Sequence, residues 1–273
     1  MTFLSERKNS CLHLTLNRPD RANSLDPPTI VELRRTILEA QSDPDTKLIV
    51  LSGAGHRNFT TGIDISAVMH FSIDGIQNLA NTAGDIATLL YYGKPSIVAI
   101  NGRAMGMGVV YSAAADYRLI VEGSFARMPE VDIPAFPGAS CIALMARVCG
   151  VAWTRRILLL GLPLESADCL HAGIADEMVP SPEALAARTQ EVAEALAAKN
   201  PTVVKAIKLA VTNSQDLPYM DVVKLESELA RFFEWGPEDK RFSELAAAFG
   251  MQYQLTGNPD QLLEDFARAQ DEN

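Results

Sequence analysis

The sequence predicts an α/β core followed by an all-helical tail, and three observations carry that prediction. Short apolar, β-rich runs alternate with segments of helical period between Cys11 and Val179. Two strand-to-helix junctions carry glycine, at Thr61-Gly62-Ile63 and Gly106-Met107-Gly108. From Pro182 onward apolar residues recur almost wholly at helical spacing. The pattern changes from mixed α/β to all-helical near residue 200, which divides the chain into a core, 1–200, and a helical region, 201–273.

The first strand, 11–16, alternates apolar and polar residues and ends at Asn17-Arg18-Pro19. Ser24-Leu25-Asp26 offers a cap for a helix over 28–41, where Pro28 is tolerated in the first turn. Ile30, Leu33, Ile37 and Leu38 form its apolar stripe. A short buried strand over 48–52 is closed by Gly53-Ala54-Gly55. Residues 59–65 form a glycine-bearing turn before a short helix through Val68 and Met69. A long helix over 73–91 sets Ile76, Leu79, Ala83, Ile86, Leu89 and Leu90 on one side and stops at Lys94-Pro95.

A strand over 96–100 turns at Asn101-Gly102, and the second glycine junction leads into a small-residue helix over 109–115. A strand over 117–121 precedes a loop that carries Glu130 between Pro129 and Pro134. Helices over 139–148, 152–160 and 166–172 follow, with a last strand over 175–179. The tail divides into helices over 183–198, 202–214, 220–235, 239–253 and 259–269.

Composition narrows the function. A net charge of −10 lacks the basic surface that a non-specific nucleic-acid binder needs, so nucleic acid is not an expected partner. The four cysteines, Cys11, Cys141, Cys149 and Cys169, have no metal-like spacing and sit in apolar surroundings. They read as buried thiols of a reducing compartment. No apolar run reaches membrane-spanning length, and charges come too early for a signal peptide. A cytoplasmic protein with no bound metal is expected.

The glycine junctions point to chemistry. Glycine between a strand and a helix lets backbone N–H groups approach a ligand where a β-carbon would clash. Those donors sit at a helix N-terminus, where developing negative charge is favoured. An oxyanion is the natural occupant, and an acid some twenty residues downstream, Glu130, could work on a proton beside it.

These residues carry a resemblance to the enoyl-CoA hydratase/isomerase (crotonase) family. Its motifs are NRPDRANSLD (17–26), FTTGIDI (59–65), KPSIVAINGRAMGMG (94–108), ADYRLI (115–120), ARMPEVDIPAFPGAS (126–140) and ESADCLHAGIADEMVP (165–180), in the family's order. The resemblance implies a crotonase-like spiral of ββα units with a helical C-terminal trimerisation region. It also implies a homotrimer or a dimer of trimers. The implied ligand is an acyl-CoA thioester, with coenzyme A as part of the substrate and no separate cofactor.

By the same resemblance the thioester oxygen is held by the N–H groups of Ile63 and Met107. Glu130 matches one of the two glutamates of the family's hydratases, while the other falls on Val110. One carboxylate can still shuttle a proton between two carbons, so a Δ3,Δ2-enoyl-CoA isomerase is the leading expectation. A hydratase or thioester hydrolase in which Asp132 or another acid supplies the missing group is the runner-up. A member that binds without catalysis is the third. Arg21, Thr61, Asp64, Ile65, Gly106 and Asp132 are the implied substrate-binding residues. Asp64 reads more naturally as a helix cap. Met69 and His70 are candidates to line the acyl pocket. The family's basic tail is replaced here by AAAFGMQYQLTGNPDQ (246–261), which leaves Arg18, Arg21 and Lys94 as local candidates for the CoA phosphates.

Overall fold

The computed structural model describes residues 2–133, 135–234 and 254–271. Among the described residues, ten strands fall in two sheets. The larger has the order β1-β2-β3-β5-β7-β10: β1 (Phe3–Lys8), β2 (Cys11–Leu16), β3 (Leu48–Gly53), β5 (Ser96–Ile100), β7 (Tyr117–Val121) and β10 (Glu177–Val179). Only β1 runs antiparallel to its neighbour. Parallel strands buried on both faces read as unbroken apolar runs. That is the character of β5, in which all of Ser-Ile-Val-Ala-Ile is buried.

The smaller sheet has the order β4-β6-β8-β9: β4 (Asn58–Thr60), β6 (Arg103–Met105), β8 (Phe125–Arg127) and β9 (Leu164–Glu165). Of these, β4, β6 and β8 are parallel neighbours, and β9 is antiparallel to β8.

Eleven α-helices are described: α1 (Pro27–Ser42), α2 (Ile65–Val68), α3 (Ile73–Tyr92), α4 (Met107–Ala114), α5 (Cys141–Val148), α6 (Gly150–Leu160), α7 (Ser166–Ala172), α8 (Pro182–Ala197), α9 (Pro201–Asn213), α10 (Tyr219–Glu234) and α11 (Pro259–Asp271). The main core lies between the larger sheet, α1, α3 and the wholly buried α4. A smaller core fills the other face of that sheet beneath α8.

Five strands escaped the sequence reading for identifiable reasons; β4, three residues long, was read as part of the turn over 59–65. β1 is an edge strand with five of its six residues exposed, so no apolar alternation marks it. β6, β8 and β9 hold two or three residues, too few to display a period. Ile76, assigned to the buried stripe of α3, is 43 % exposed. The end of the helix expected over 220–235 and the whole of that expected over 239–253 lie outside the described residues.

Among the contacts that dock the tail on the core, two centre on buried charges. Lys208 of α9 is buried, and its ammonium donates to Leu90 O at 2.6 Å, to Lys94 O at 3.2 Å and to Asp116 Oδ2 at 2.6 Å. Ahead of α11, the amides of Thr256 and Gly257 donate to the buried carboxylate of Asp85 at 2.9 and 3.1 Å. Arg34 pairs with the same carboxylate at 2.8 Å.

Candidate active site

Three parallel strand ends converge. Neighbouring strands lie about 4.8 Å apart, so the C-terminal ends of β4, β6 and β8 deliver their next residues side by side. After β4 come Thr61, Gly62 and Ile63; after β6 come Gly106 and Met107; after β8 comes Glu130. The site therefore rests on the smaller sheet.

The two glycine turns touch. Gly62 has φ +83°, and a β-carbon there would meet Met105 O and Met107 N, each at 3.0 Å. Gly106 has φ +49°, and a β-carbon on Gly108 would stand 2.8 Å from Thr60 Cγ2. Only glycine allows both the backbone angles and the approach.

Ile63 bridges Leu25 in parallel fashion, through Leu25 N–H to Gly62 O at 2.8 Å and Asp64 N–H to Leu25 O at 2.9 Å. That pattern uses the groups flanking Ile63 and turns its own N–H the other way. Met107 opens α4, where first-turn donors lack intrahelical acceptors. Among the described residues, neither the Ile63 nor the Met107 amide has a backbone acceptor.

Glu130 begins a 3₁₀ turn, Glu130–Asp132. Its Oε1 lies 3.5 Å from where a β-carbon of Gly106 would stand, so the carboxyl faces the second glycine turn. Oε2 is buried with no hydrogen-bond partner among the described residues. Burial pushes the pKa of this carboxyl above the usual carboxylate range.

The turn is held from behind. Arg127 Nε donates to Gly161 O at 2.7 Å, and Arg127 Nη2 pairs with Asp132 Oδ2 at 2.5 Å. A β-carbon at Gly161 would come within 2.5 Å of Val131 Cγ1. Asp132 is thus bonded to Arg127 and fixes the turn. Val110 lies one turn into α4, 1 % exposed among apolar neighbours, and brings no acid to the site.

The other residues singled out in the sequence divide into three groups. Thr61 is tied to Ala22 O through its amide at 3.2 Å and its hydroxyl at 3.5 Å. Asp64 stands at the N-cap position of α2, where its main-chain carbonyl accepts from Ala67 N–H at 3.0 Å, but its carboxylate bonds no helix amide. It accepts instead from Ser66 Oγ at 2.6 Å, Ser24 Oγ at 3.1 Å and Arg18 Nη2 at 3.2 Å. Burial acts to raise the pKa of Asp64, yet the hydroxyl bonds and the Arg18 charge together hold it below the usual range. Asp64 is therefore a clasp beside Ile63. Ile65 and Met69, on and just after α2, are 59 % and 68 % exposed, and His70 is exposed beside them.

Of the three candidates for phosphate contact, two are committed elsewhere. Arg18 pairs with Asp26 and Asp64 and donates to Ser24 O. Lys94 bonds Asp43 O just before the N-terminal end of β5, opposite the strand end that leads on to β6 and Gly106. Arg21 is exposed, and its side chain bonds no described residue.

Sequence reasoning missed Asn23, Arg127 and Gly161. Asn23 is 1 % exposed and donates to Ala54 O and Asn58 O at 3.0 and 2.8 Å, stapling the 17–26 loop to the base of β4. The signal for Asn23 and Arg127 was their place inside motifs, 17–26 and 126–140; Gly161 lay in none, and its contact with Arg127 spans 34 residues.

The structure sets two main-chain amides without a backbone acceptor among the described residues beside one half-buried carboxyl, an arrangement chemically suited to a carbonyl oxygen and a nearby proton. A sequence profile of enoyl-CoA hydratases/isomerases matches residues 11–255, and the chain belongs to that family. It is 30 % identical to (E)-benzylidenesuccinyl-CoA hydratase of Thauera aromatica over 80 % of this chain and 85 % of the relative. It is 26 % identical to the short-chain-enoyl-CoA hydratase of Clostridium acetobutylicum over 82 % of this chain and 85 % of that one. The crystal structure of enoyl-CoA hydratase from Bacillus anthracis superposes with a TM-score of 0.83 at 22 % identity. It covers 95 % of this chain and 100 % of its own. The crotonase fold expected from the motifs is the fold found.

Proposed function

We propose that the chain isomerises an enoyl-CoA thioester, moving its double bond from the 3,4 to the 2,3 position. The thioester oxygen accepts from the amides of Ile63 and Met107. The Glu130 carboxylate takes a proton from C2, and the C–H electrons form a C1=C2 bond while charge moves onto the oxygen. The same carboxyl returns the proton to C4, whose new C–H bond takes the C3=C4 π pair, while the C1=C2 pair moves to form C2=C3 and the oxygen's charge re-forms the C1=O bond. Two preorganised donors stabilise that dienolate; one such donor is worth roughly 3 kcal/mol in comparable sites. Glycines at 62 and 106 keep the cradle open, and Arg127 with Gly161 keeps the acid beside it.

One observation carries the choice of isomerisation: Glu130 faces the cradle while Val110, where the family's other hydratase glutamate falls, is a buried apolar side chain. The hydratase names of the Thauera and Clostridium relatives favour water addition as the second reading. Incubation with 3-enoyl-CoA and with 2-enoyl-CoA, followed by mass spectrometry, separates them. Isomerisation leaves the mass unchanged, hydration adds one water, and hydrolysis releases CoA; either of the last two as the main product overturns the proposal.

Arg21, whose side chain bonds no described residue, is the basic group offered to the CoA phosphates, with Ile65, Met69 and His70 bordering the acyl chain. Assembly as a trimer or a dimer of trimers fits the exposed Ile207, Val211, Tyr219 and Met220 of α9 and α10, an apolar surface unusual for a monomer. Light scattering reads that state directly. Among the described residues no helix is long and apolar enough to cross a membrane, and a cytoplasmic place is part of the same proposal.

A further inference from the structure

A second cleft, of about 310 Å³, opens on the other side of the molecule, between α8 and the face of the larger sheet that α8 covers. On β2, Cys11, His13 and Thr15 alternate onto this face. Cys11 lies in the apolar core beneath α8. Toward the strand ends the same face turns polar, with His13, Thr15 and Ser52 lining the cleft opposite Thr189 of α8.

Two of these groups lack a partner among the described residues: His13 Nε2 and Thr189 Oγ1, both buried. Thr189 as a whole is 6 % exposed. A helical threonine usually returns its hydroxyl to the carbonyl four residues back. Thr82, Thr88 and Thr154 do so, to Asn78 O, Gly84 O and Gly150 O at 2.8, 3.1 and 2.8 Å. Thr189 does not. Burying a hydroxyl and an imidazole nitrogen unpaired is unfavourable unless something else completes them.

The chemistry of the lining selects the occupant. Thr15 and Ser52 add two hydroxyls, 3.2 Å apart. Lys8 and His56 stand at the rim, where the carboxylate of Glu6 is engaged by Lys8 at 3.3 Å. The lining offers three hydroxyls and an imidazole, with the Lys8 ammonium at the rim, and the volume sits at the small end of ligand sites. It is far too small for a whole CoA thioester. The structure assigns this cleft as a binding site for a small carboxylate anion, held by Thr189, His13 and the Thr15–Ser52 hydroxyl pair.

The probe is sodium malonate, titrated into full-length protein labelled with ¹⁵N-histidine, with sodium chloride at matched ionic strength as the control. Four histidines make the spectrum assignable through His13→Gln. The His13 ring signals should move saturably with malonate and stay in place with chloride. Thr189→Val should weaken binding about tenfold, the worth of a hydrogen bond to a charged group. Thr189→Ser, which keeps the hydroxyl, should retain it, separating loss of the hydroxyl from a disturbed helix. A non-saturating shift, a shift matched by chloride, or unchanged binding in Thr189→Val overturns the assignment.

Discussion

A β-carbon built on Gly106 would stand 3.5 Å from Oε1 of Glu130. The acid and the second glycine turn are close neighbours across a gap that a substrate carbon can enter, and only glycine leaves that gap open.

Replacing Glu130 with Gln should reduce isomerisation about 10²- to 10⁴-fold while the protein folds normally. The same change should raise the melting temperature at pH 7. Burial raises the folded-state pKa of Glu130 above its unfolded value, near 4.5. Such a group favours folding below the unfolded pKa, and that contribution is lost as pH rises through the folded pKa. The gain from Gln should therefore be present at pH 7 and fade as pH falls toward 4.5. Calorimetry across that window checks it. Activity should fall with acidification at a pH above the ordinary carboxylate range, since the reaction starts from the ionised form.

Gly62→Ala should damage the cradle directly. Its φ of +83° disfavours alanine, and the added carbon meets Met105 O and Met107 N at 3.0 Å. Displacing one donor costs about 10²- to 10³-fold in kcat, with a backbone strain of about 1–3 kcal/mol. Gly123→Ala, where the added carbon meets nothing within 4 Å, is the control for strain at positive φ alone.

Asp64→Ala should cost about 1–3 kcal/mol of stability, because it strands the Ser24 and Ser66 hydroxyls and half of the Arg18 pairing. Steady-state rates should fall as well, since Asp64 adjoins Ile63. The wild-type clasp contributes above the ordinary Asp pKa of 3.8 and is lost as pH falls through the depressed folded value. Urea titrations of both proteins between pH 3 and 7 read the difference.

Lys208→Met tests how the tail is docked. It removes a buried cation from Asp116 and from two carbonyls. Asp116 keeps 33 % of its side chain exposed, which softens the loss to about 2 kcal/mol, below the range for a fully buried pair. Urea unfolding should report that loss with kcat nearly unchanged.

Much of this architecture was legible in the residues. Periodicity located α1, α3 and the long strands, because each displays enough residues to repeat. Gly62 and Gly106 were legible because they take backbone that other residues rarely adopt, and Glu130 because of its place in the 126–140 motif. The smaller sheet, which brings those three together, was not: two or three residues per strand carry no pattern. The position of Asp64 at the start of α2 was legible, but its side-chain clasp was not, because Ser24 and Arg18 lie some forty residues away. Local pattern reveals a glycine turn, whereas the packing of one turn against another follows from contacts between distant segments.

The most direct measurement is a crystal structure with a saturated acyl-CoA, which cannot isomerise. The account predicts its thioester oxygen about 2.7–3.1 Å from both the Ile63 and Met107 nitrogens, with the Glu130 carboxyl facing C2. An oxygen bound away from either amide, or Glu130 turned out of the site, would contradict it.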